Sequence, residues 1–405
     1  KRRSTVTILG VMLSSALMCG VFLLGVSAQK VMVDHAIFMS GNWHARFHEV
    51  PYEKAKYLAE NSAVETAMLA RPLGSARDGS RNPTRPYLYV TAHDARSLQN
   101  QSIRLVAGRL PRSSDEILLS QLAIHDTGLD LKPGATLRLE FGQRNIPDRD
   151  AMVKAWGGEE YVAFKAGETF SVASTRTYTV VGVMAPLQDE TSMPAAFPAL
   201  TFLDSTALVG ADRVDIAVLA FDPSGISRTA PAIARAVGLD LALDADGRPS
   251  KKSISYNEKL LPWLGGSGQS EYVNFFLAAM ATLMVLIIGG SALVIYNSFA
   301  ISIRERTKQF GMFASVGATA AQIRRIVLIE AATVAAIGVP LGLLAALAGV
   351  AALMGIIRGL VSQLISDAAQ GLPLVLSPAA LGLTVVLSLG TILLSAWLPA
   401  RRASR

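Results

Sequence analysis

Long uncharged runs divide the chain before any motif is considered. No Asp, Glu, Lys or Arg falls between Ser4 and Gln29, between Val273 and Ile303, or between Ala368 and Ala400. The run from Ile326 to Ile357 carries only Glu330. A helix needs about 20 apolar residues to cross a bilayer, so each run is long enough. Gly338, Pro340, Gly342 and Gly382 inside these runs are tolerated where neighbouring helices satisfy the backbone. The pattern predicts a membrane protein with four transmembrane α-helices and a large α+β domain inserted between helices 1 and 2. Helix 1 is expected over 1–33, the inserted domain over 34–271 and helix 2 over 272–303. A short loop follows at 304–325, helix 3 at 326–357, an outer loop at 358–378, and helix 4 with its polar end at 379–405. The first run also has the layout of a signal peptide, with Lys1-Arg2-Arg3 before it and Val26-Ser27-Ala28 at its end. Its length favours a retained helix.

The inserted segment changes period. Trp43–Val50 alternates like a strand, and Pro51 can open a helix through Asn61. Val64–Leu69, Pro86–Thr91, Glu116–Leu119, Thr136–Phe141, Thr177–Met184 and Val214–Phe221 read as strands. Ser120–Thr127 and Ser224–Val237 read as helices, with a turn at Lys132-Pro133-Gly134. Residues 143–170 are polar and weakly periodic and read as an inserted loop or hairpin. Leu261–Ser270 reads as a linker.

Composition narrows the class. Of the 405 residues 51% are hydrophobic and 17% charged, which excludes a disordered chain. The single Cys19 excludes a disulfide framework and any multi-cysteine metal site. The net charge of +7 is concentrated in three clusters: Lys1, Arg2 and Arg3; Arg304, Arg306, Lys308, Arg324 and Arg325; and Arg401, Arg402 and Arg405. With four helices, all three clusters fall on one side. The positive-inside rule then puts both termini in the cytoplasm and the inserted domain outside, in a multi-pass membrane protein. Little positive charge is left for nucleic acid, and aromatic residues at 7% offer no basic-aromatic groove, so no nucleic-acid partner is expected.

Catalytic and metal motifs are missing. His48-Glu49 is followed by Tyr52 where a zinc protease needs His. His44 and His48 could share a strand face with Arg46 between them, and are expected to be surface histidines. Asp244-Ala245-Asp246-Gly247 imitates part of a calcium loop, but Ala242 and Ser253 stand at its first and last ligand positions, so a turn is expected. No catalytic, cofactor-binding or metal residue is assigned.

The segment from Asn297 to Glu330 is the most informative. Helix 2 is expected to continue past the membrane and carry Arg304, Glu305, Arg306 and Lys308. Gly311 and Gly317 bracket a short apolar patch, and Phe310, Met312 and Phe313 form an apolar knob beside the charges. Gly317 permits a turn, and Thr319 with Gln322 fits a capping box that starts the next helix. Such a unit could dock a cytoplasmic protein or rest on lipid headgroups. Further on, Gly338 and Gly342 form a G-x-x-x-G pair suited to close helix packing.

This segment resembles the FtsX-like permeases of ABC transporters. The likeness lies in Glu305-Arg306, Gln309-Phe310-Gly311, Val316-Gly317-Ala318-Thr319, Gln322-Ile323-Arg324-Arg325, Gly338-Val339-Pro340-Leu341-Gly342 and Pro399-Ala400-Arg401-Arg402. In the inserted domain, Ala107-Gly108-Arg109-Leu110-Pro111, Asp115-Glu116-Ile117-Leu118-Leu119 and Leu131-Lys132-Pro133-Gly134 look like MacB- and LolC/LolE-like domains. Ser255-Tyr256-Asn257-Glu258-Lys259 and Tyr296-Asn297-Ser298-Phe299 are most similar to permeases of Gram-positive bacteria, some of which act on antimicrobial peptides.

The resemblance implies a permease subunit rather than an enzyme. It would bind no cofactor itself, ATP and magnesium being held by a separate dimeric cytoplasmic ATPase. Coupling would run by mechanotransmission through Arg304, Glu305, Arg306, Lys308, Gln309, Phe310, Gly311, Met312, Phe313, Gly317, Thr319, Gln322 and Arg325. The other implied partners are a second permease module or subunit, membrane lipid, and an extracellular peptide, lipid or protein. The substrate would be an amphipathic peptide or lipid. The alternative is a signalling role of the cell-division FtsX type, activating an outside partner such as a wall hydrolase. The family pattern runs beyond both ends, so a longer polypeptide is expected.

Overall fold

The computed structural model describes residues 2–403 apart from 78–81, 128–130, 148, 150–152, 154–160, 188–189, 245, 267–270 and 365–373. It divides into a helical unit, Lys1–Asp34 with Gln269–Arg405, and a sheet unit, His35–Gly268.

The helical unit holds α1 (Arg2–Ser40), whose last residues belong to the sheet unit, and the three later helices. These are α6 (Glu271–Ser315), α7 (Ala320–Leu364) and α8 (Pro378–Ala403). All four are long and apolar enough to cross a membrane. Three run past their apolar centres, α1 to Ser40, α6 to Ser315 and α7 to Leu364, because the hydrogen-bond ladder continues where hydropathy stops. All four helices feed one core that includes Val11 of α1, Ile295 and Phe299 of α6, Ala331 and Val339 of α7, and Ile392 and Ala396 of α8. A buried hydroxyl row on α8, Thr384, Ser388, Thr391 and Ser395, faces the same interior. Thr384 and Thr391 donate back to the carbonyls of Ala380 and Leu387 at 2.8 Å, so these hydroxyls do not stand unsatisfied in an apolar setting.

The sheet unit is an α+β domain with ten strands: β1 (Ala45–Pro51), β2 (Val64–Arg77), β3 (Tyr87–His93), β4 (Leu105–Gly108), β5 (Glu116–Ser120), β6 (Thr136–Asn145), β7 (Thr169–Met184), β8 (Ala196–Phe202), β9 (Arg213–Ala220) and β10 (Ile254–Tyr256). Among the described residues its α-helices are α2 (Tyr52–Ala59), α3 (Ala95–Asn100), α4 (Gln121–Thr127) and α5 (Ile226–Ala236). The order is β10-β1-β9-β2-β3-β8-β5-β7-β4, and β6 bridges β7 back to β2. The pairs β2–β3, β3–β8, β8–β5, β5–β7, β7–β6 and β6–β2 therefore close a ring. Each strand of the ring is paired on both sides, and the ring encloses a core around Leu88, Ile117, Leu139, Phe141, Val180 and Phe197. The other core lies where α2 and α5 cover one face of β1, β9 and β2, around Phe47, Leu58, Ile216, Val218 and Ile233.

Besides the unpredicted β4, β10 and α3, three features of the sequence reading change. Residues 143–170 are partly strand: β6 runs to Asn145 and β7 begins at Thr169, paired in register from Thr136↔Thr179 to Asn145↔Thr169. The base of this hairpin holds a buried ion pair, Arg144 Nε to Glu168 Oε1 at 2.8 Å, with both side chains fully buried. Arg144 also donates to Glu168 Oε2 at 3.1 Å and to the Val162 carbonyl at 3.0 Å. The second change is β8, unpredicted from sequence: its first six residues are buried, so it shows no alternation to read. The expected linker begins with a short 3₁₀ turn, Leu261–Leu264, whose Leu261 is part of the core.

The family-like motif between β4 and β5 is held by a charged fork. Arg109 donates to Glu116 through both terminal nitrogens, at 2.7 and 2.5 Å, and the Arg112 amide adds a third donor at 2.8 Å. These hydrogen bonds, Arg109 first, hold the Glu116 carboxyl down to about 2.

Candidate functional site

The segment joining α6 to α7 is a tight, capped turn. Ser315 Oγ donates to the Met312 carbonyl at 2.8 Å, and the Val316 amide donates to the same oxygen at 3.2 Å. Gly317 then takes φ +96°, a left-handed conformation that a side chain would strain. The next helix is opened reciprocally: the Gln322 amide donates to Thr319 Oγ1 at 3.3 Å, and the Thr319 amide donates to Gln322 Oε1 at 2.8 Å. Beneath the turn, Ile323 and Val327 are buried against Ala400, with Ile303 and Ala318 packed beside them.

The sequence-derived site residues fall on both sides of this turn. Arg304, Glu305, Gln309 and Met312 lie exposed on α6, and Gln322 and Arg325 lie exposed on the first turns of α7. Of Arg306, Lys308, Phe310 and Phe313 only the backbone is described. Gly311 does not bracket the patch: it lies inside the unbroken α6. Met312 stands four residues before Val316, whose amide closes a helical turn onto the Met312 carbonyl, so these two share a face. Met312 is 62% exposed and Val316 89%, the highest value among the exposed large apolar residues described. In the sequence Val316 belongs to the apolar patch and the family-like motif but not to the coupling residues, because a valine in an apolar stretch carries no exposure signal.

The G-x-x-x-G pair lies against α1. A Cβ built on Gly338 would stand 2.6 Å from Val11 Cγ1, and one built on Gly342 would stand 2.5 Å from the Met12 carbonyl oxygen. The seam continues four residues on, where Cys19 and Leu23 of α1 meet Ala346 and Val350 of α7. Small residues allow this backbone approach.

One face of the sheet unit carries a second cluster. His44 is not on the surface but buried, accepting from the Ala220 amide at 3.0 Å, and burial lowers its pKa. His48 follows it across β1, next to a bulge at which Glu49 takes φ +50°. Its Nδ1 lies 3.1 Å from Asp215 Oδ2 and its Nε2 lies 2.8 Å from Ser255 Oγ. Burial alone would raise the Asp215 pKa, but the His48 ring, the Glu49 amide and Arg46 outweigh it and hold the carboxylate ionised. The Asp215–His48–Ser255 connectivity imitates a hydrolytic triad. Ser255, however, sits in a strand paired with Arg46, where backbone amides serve the ladder rather than an oxyanion. Burial and nearby Arg46 push His93 on the same face down to about 3, so it is neutral. Asp244 forms a turn, its Oδ1 accepting from the amides of Asp246 and Arg248 at 2.9 Å.

Four membrane-length helices, a ringed mixed sheet between the first and second of them, and a capped turn between the second and third define a multi-helix membrane protein with one large inserted domain. Residues 281–405 match the FtsX-like permease C-terminal family, a stretch that takes in most of α6, the capped turn, α7 and α8. A macrolide export ATP-binding/permease protein MacB from Shigella boydii is 32% identical over 133 residues, 33% of this chain. The matched stretch spans only 18% of that relative. Among solved structures, the periplasmic region of MacB from Actinobacillus actinomycetemcomitans aligns over 55% of this chain and 93% of its own, at TM-score 0.33 and 11% identity. The extracellular domain of the noncanonic ABC-type transporter YknZ from Gram-positive bacteria aligns over 53% and 99%, at TM-score 0.30 and 11% identity.

Proposed function

We propose that this chain is the permease subunit of an ABC transporter that works by mechanotransmission, moving an amphipathic peptide or lipid. The observation that carries the reading is the turn within the FtsX-like domain, where exposed Met312 and Val316 stand beside Arg304, Glu305, Gln309 and Arg325. An apolar contact ringed by charge suits a protein partner. The three basic clusters support, by the positive-inside rule, a cytoplasmic side for this turn and both ends of the chain and an outer side for the sheet domain. The partner is a separate dimeric ATPase that supplies ATP and magnesium, with a second permease module completing the assembly.

The caps make the turn a stiff handle. A push on it moves α6 and α7 together, because Ile323 and Val327 are packed against Ala400 and Ile303. The glycine seam passes the motion to α1, one unbroken helix from Arg2 to Ser40. Converting Met312 and Val316 together to aspartate should weaken ATPase binding at least tenfold, as expected for loss of an interface anchor. Thermal stability should stay unchanged, since both side chains are exposed. Normal ATPase binding and normal stimulation by the double variant would show that docking occurs elsewhere.

A further inference from the structure

The contact beneath the capped turn leaves a half-buried arginine without a partner among the described residues. Ile323 of α7 is packed against Ala400 of α8, with Ile303 of α6 beside them. Each of the three is followed directly by an arginine: Arg324, Arg401 and Arg304. A helix turns about 100° per residue, so an arginine one step on from a packed contact lies at its rim. Arg324 is half-buried there, yet among the described residues it makes no hydrogen bond, ion pair or ring contact. A guanidinium carries five donors, and leaving them unanswered away from bulk water is costly.

The surroundings fix the sign of the partner. Residues 297–326 and 397–405 carry eight basic side chains and one acid, Glu305. Every charged residue of these stretches whose side chain lies outside the described residues is Lys or Arg, so the positive surplus stands however those side chains are placed. Glu330 is more than a turn further along α7. A phosphate, with several acceptor oxygens, matches such a donor set.

The helix faces fix its source. On α8 the exposed face runs from Leu394 through Trp397 to Arg401, whose guanidinium carbon lies 5.7 Å from the Trp397 ring centre. On α6 exposed Ile301 precedes exposed Arg304, and on α7 exposed Ile329 stands one turn from exposed Arg325. Around one packed contact, three helices pass from exposed apolar side chains to arginine, with a tryptophan at the changeover. That is the order of acyl chain, interface and headgroup across one leaflet. A zwitterionic lipid offers the same phosphate, but its ammonium would meet eight basic groups and one acid.

We infer that Arg324, with Arg401 and Trp397, forms a binding site for the headgroup of an anionic phospholipid, whose acyl chains run along Trp397 and Leu394. The inference rests on the reading of the four helices as membrane-spanning. It uses neither Met312 nor Val316, so its failure would leave the ATPase-docking reading untouched.

The test uses the full chain in phosphatidylcholine nanodiscs in which a minor fraction of the lipid carries bromine on its acyl chains. The brominated lipid is either phosphatidylglycerol or phosphatidylcholine. Quenching of Trp397, taken as the difference from Trp397→Phe, reports which one lies beside it. Brominated phosphatidylglycerol should bind about fivefold more tightly or better, the factor for one basic residue beside an anionic headgroup. Arg324→Gln should remove most of this preference, and Arg324→Lys should keep most of it, because the charge remains. Arg401→Gln gives a second reading if Arg324→Gln is poorly recovered, and Arg248→Gln on the sheet unit should change nothing. Soluble glycerol phosphate at constant ionic strength should not displace the brominated phosphatidylglycerol. Equal quenching by the two lipids, full preference in folded Arg324→Gln and Arg401→Gln proteins, or displacement by glycerol phosphate would each overturn the inference.

Discussion

Replacing Gly342 with leucine is expected to separate α1 from α7 and abolish recovery of the folded protein from membranes. The site of the new Cβ lies 2.5 Å from the Met12 carbonyl oxygen and 3.0 Å from the Ala16 amide nitrogen. Both neighbours are backbone, so no rotamer change relieves the clash. Even Gly342→Ala should cost about 1–3 kcal/mol, the usual range for overpacking. Gly349 is the control. It lies seven residues further along the same helix, and a Cβ there meets nothing within 4 Å. Gly349→Ala should be neutral or stabilising by up to about 1 kcal/mol through helix propensity. Thermal unfolding of the three variants in one detergent separates the outcomes, and equal stability of Gly342→Ala and Gly349→Ala would remove the seam from the account.

The second large effect concerns the hairpin of the sheet domain. Glu168→Ala leaves the Arg144 guanidinium buried without its carboxylate, and removing one member of a buried pair costs about 3–5 kcal/mol. The sheet domain should then melt on the order of 10 °C lower. The double variant Arg144→Met with Glu168→Leu should recover most of this loss, because it removes both buried charges together. Differential scanning calorimetry reads both variants. A Glu168→Ala protein melting within a degree or two of wild type would mean that the pair contributes little to the hairpin.

Much of this architecture was legible in the sequence, for reasons that also explain what was not. The membrane helices show in charge-free runs because burying a charge in lipid is costly. Strands β1, β6 and β9 show alternation because one face is apolar core and the other is not. β8 has no such asymmetry. The Arg144–Glu168 pair lies in a stretch whose polarity reads as solvent exposure, and only the fold brings the two residues together. The capping box at Thr319 and Gln322 was readable because it is local. The glycine pair revealed that a helix approaches α7 but not which one, since pairing across 300 residues leaves no local trace. His44 and His48 read alike as surface residues, yet one is enclosed by β9 and the other is held between Asp215 and Ser255.

The central claim is that this chain is driven by a separate ABC ATPase engaging the turn between α6 and α7. The most direct measurement is capture of the tagged chain from its native membranes, followed by identification of co-purified proteins and assay of ATP hydrolysis. Wild type should bring down an ABC ATPase with ATP-hydrolysing activity, and the Met312→Asp, Val316→Asp protein should be recovered folded without it. A folded wild-type chain that captures no ABC ATPase, with or without a non-hydrolysable nucleotide, would contradict the account.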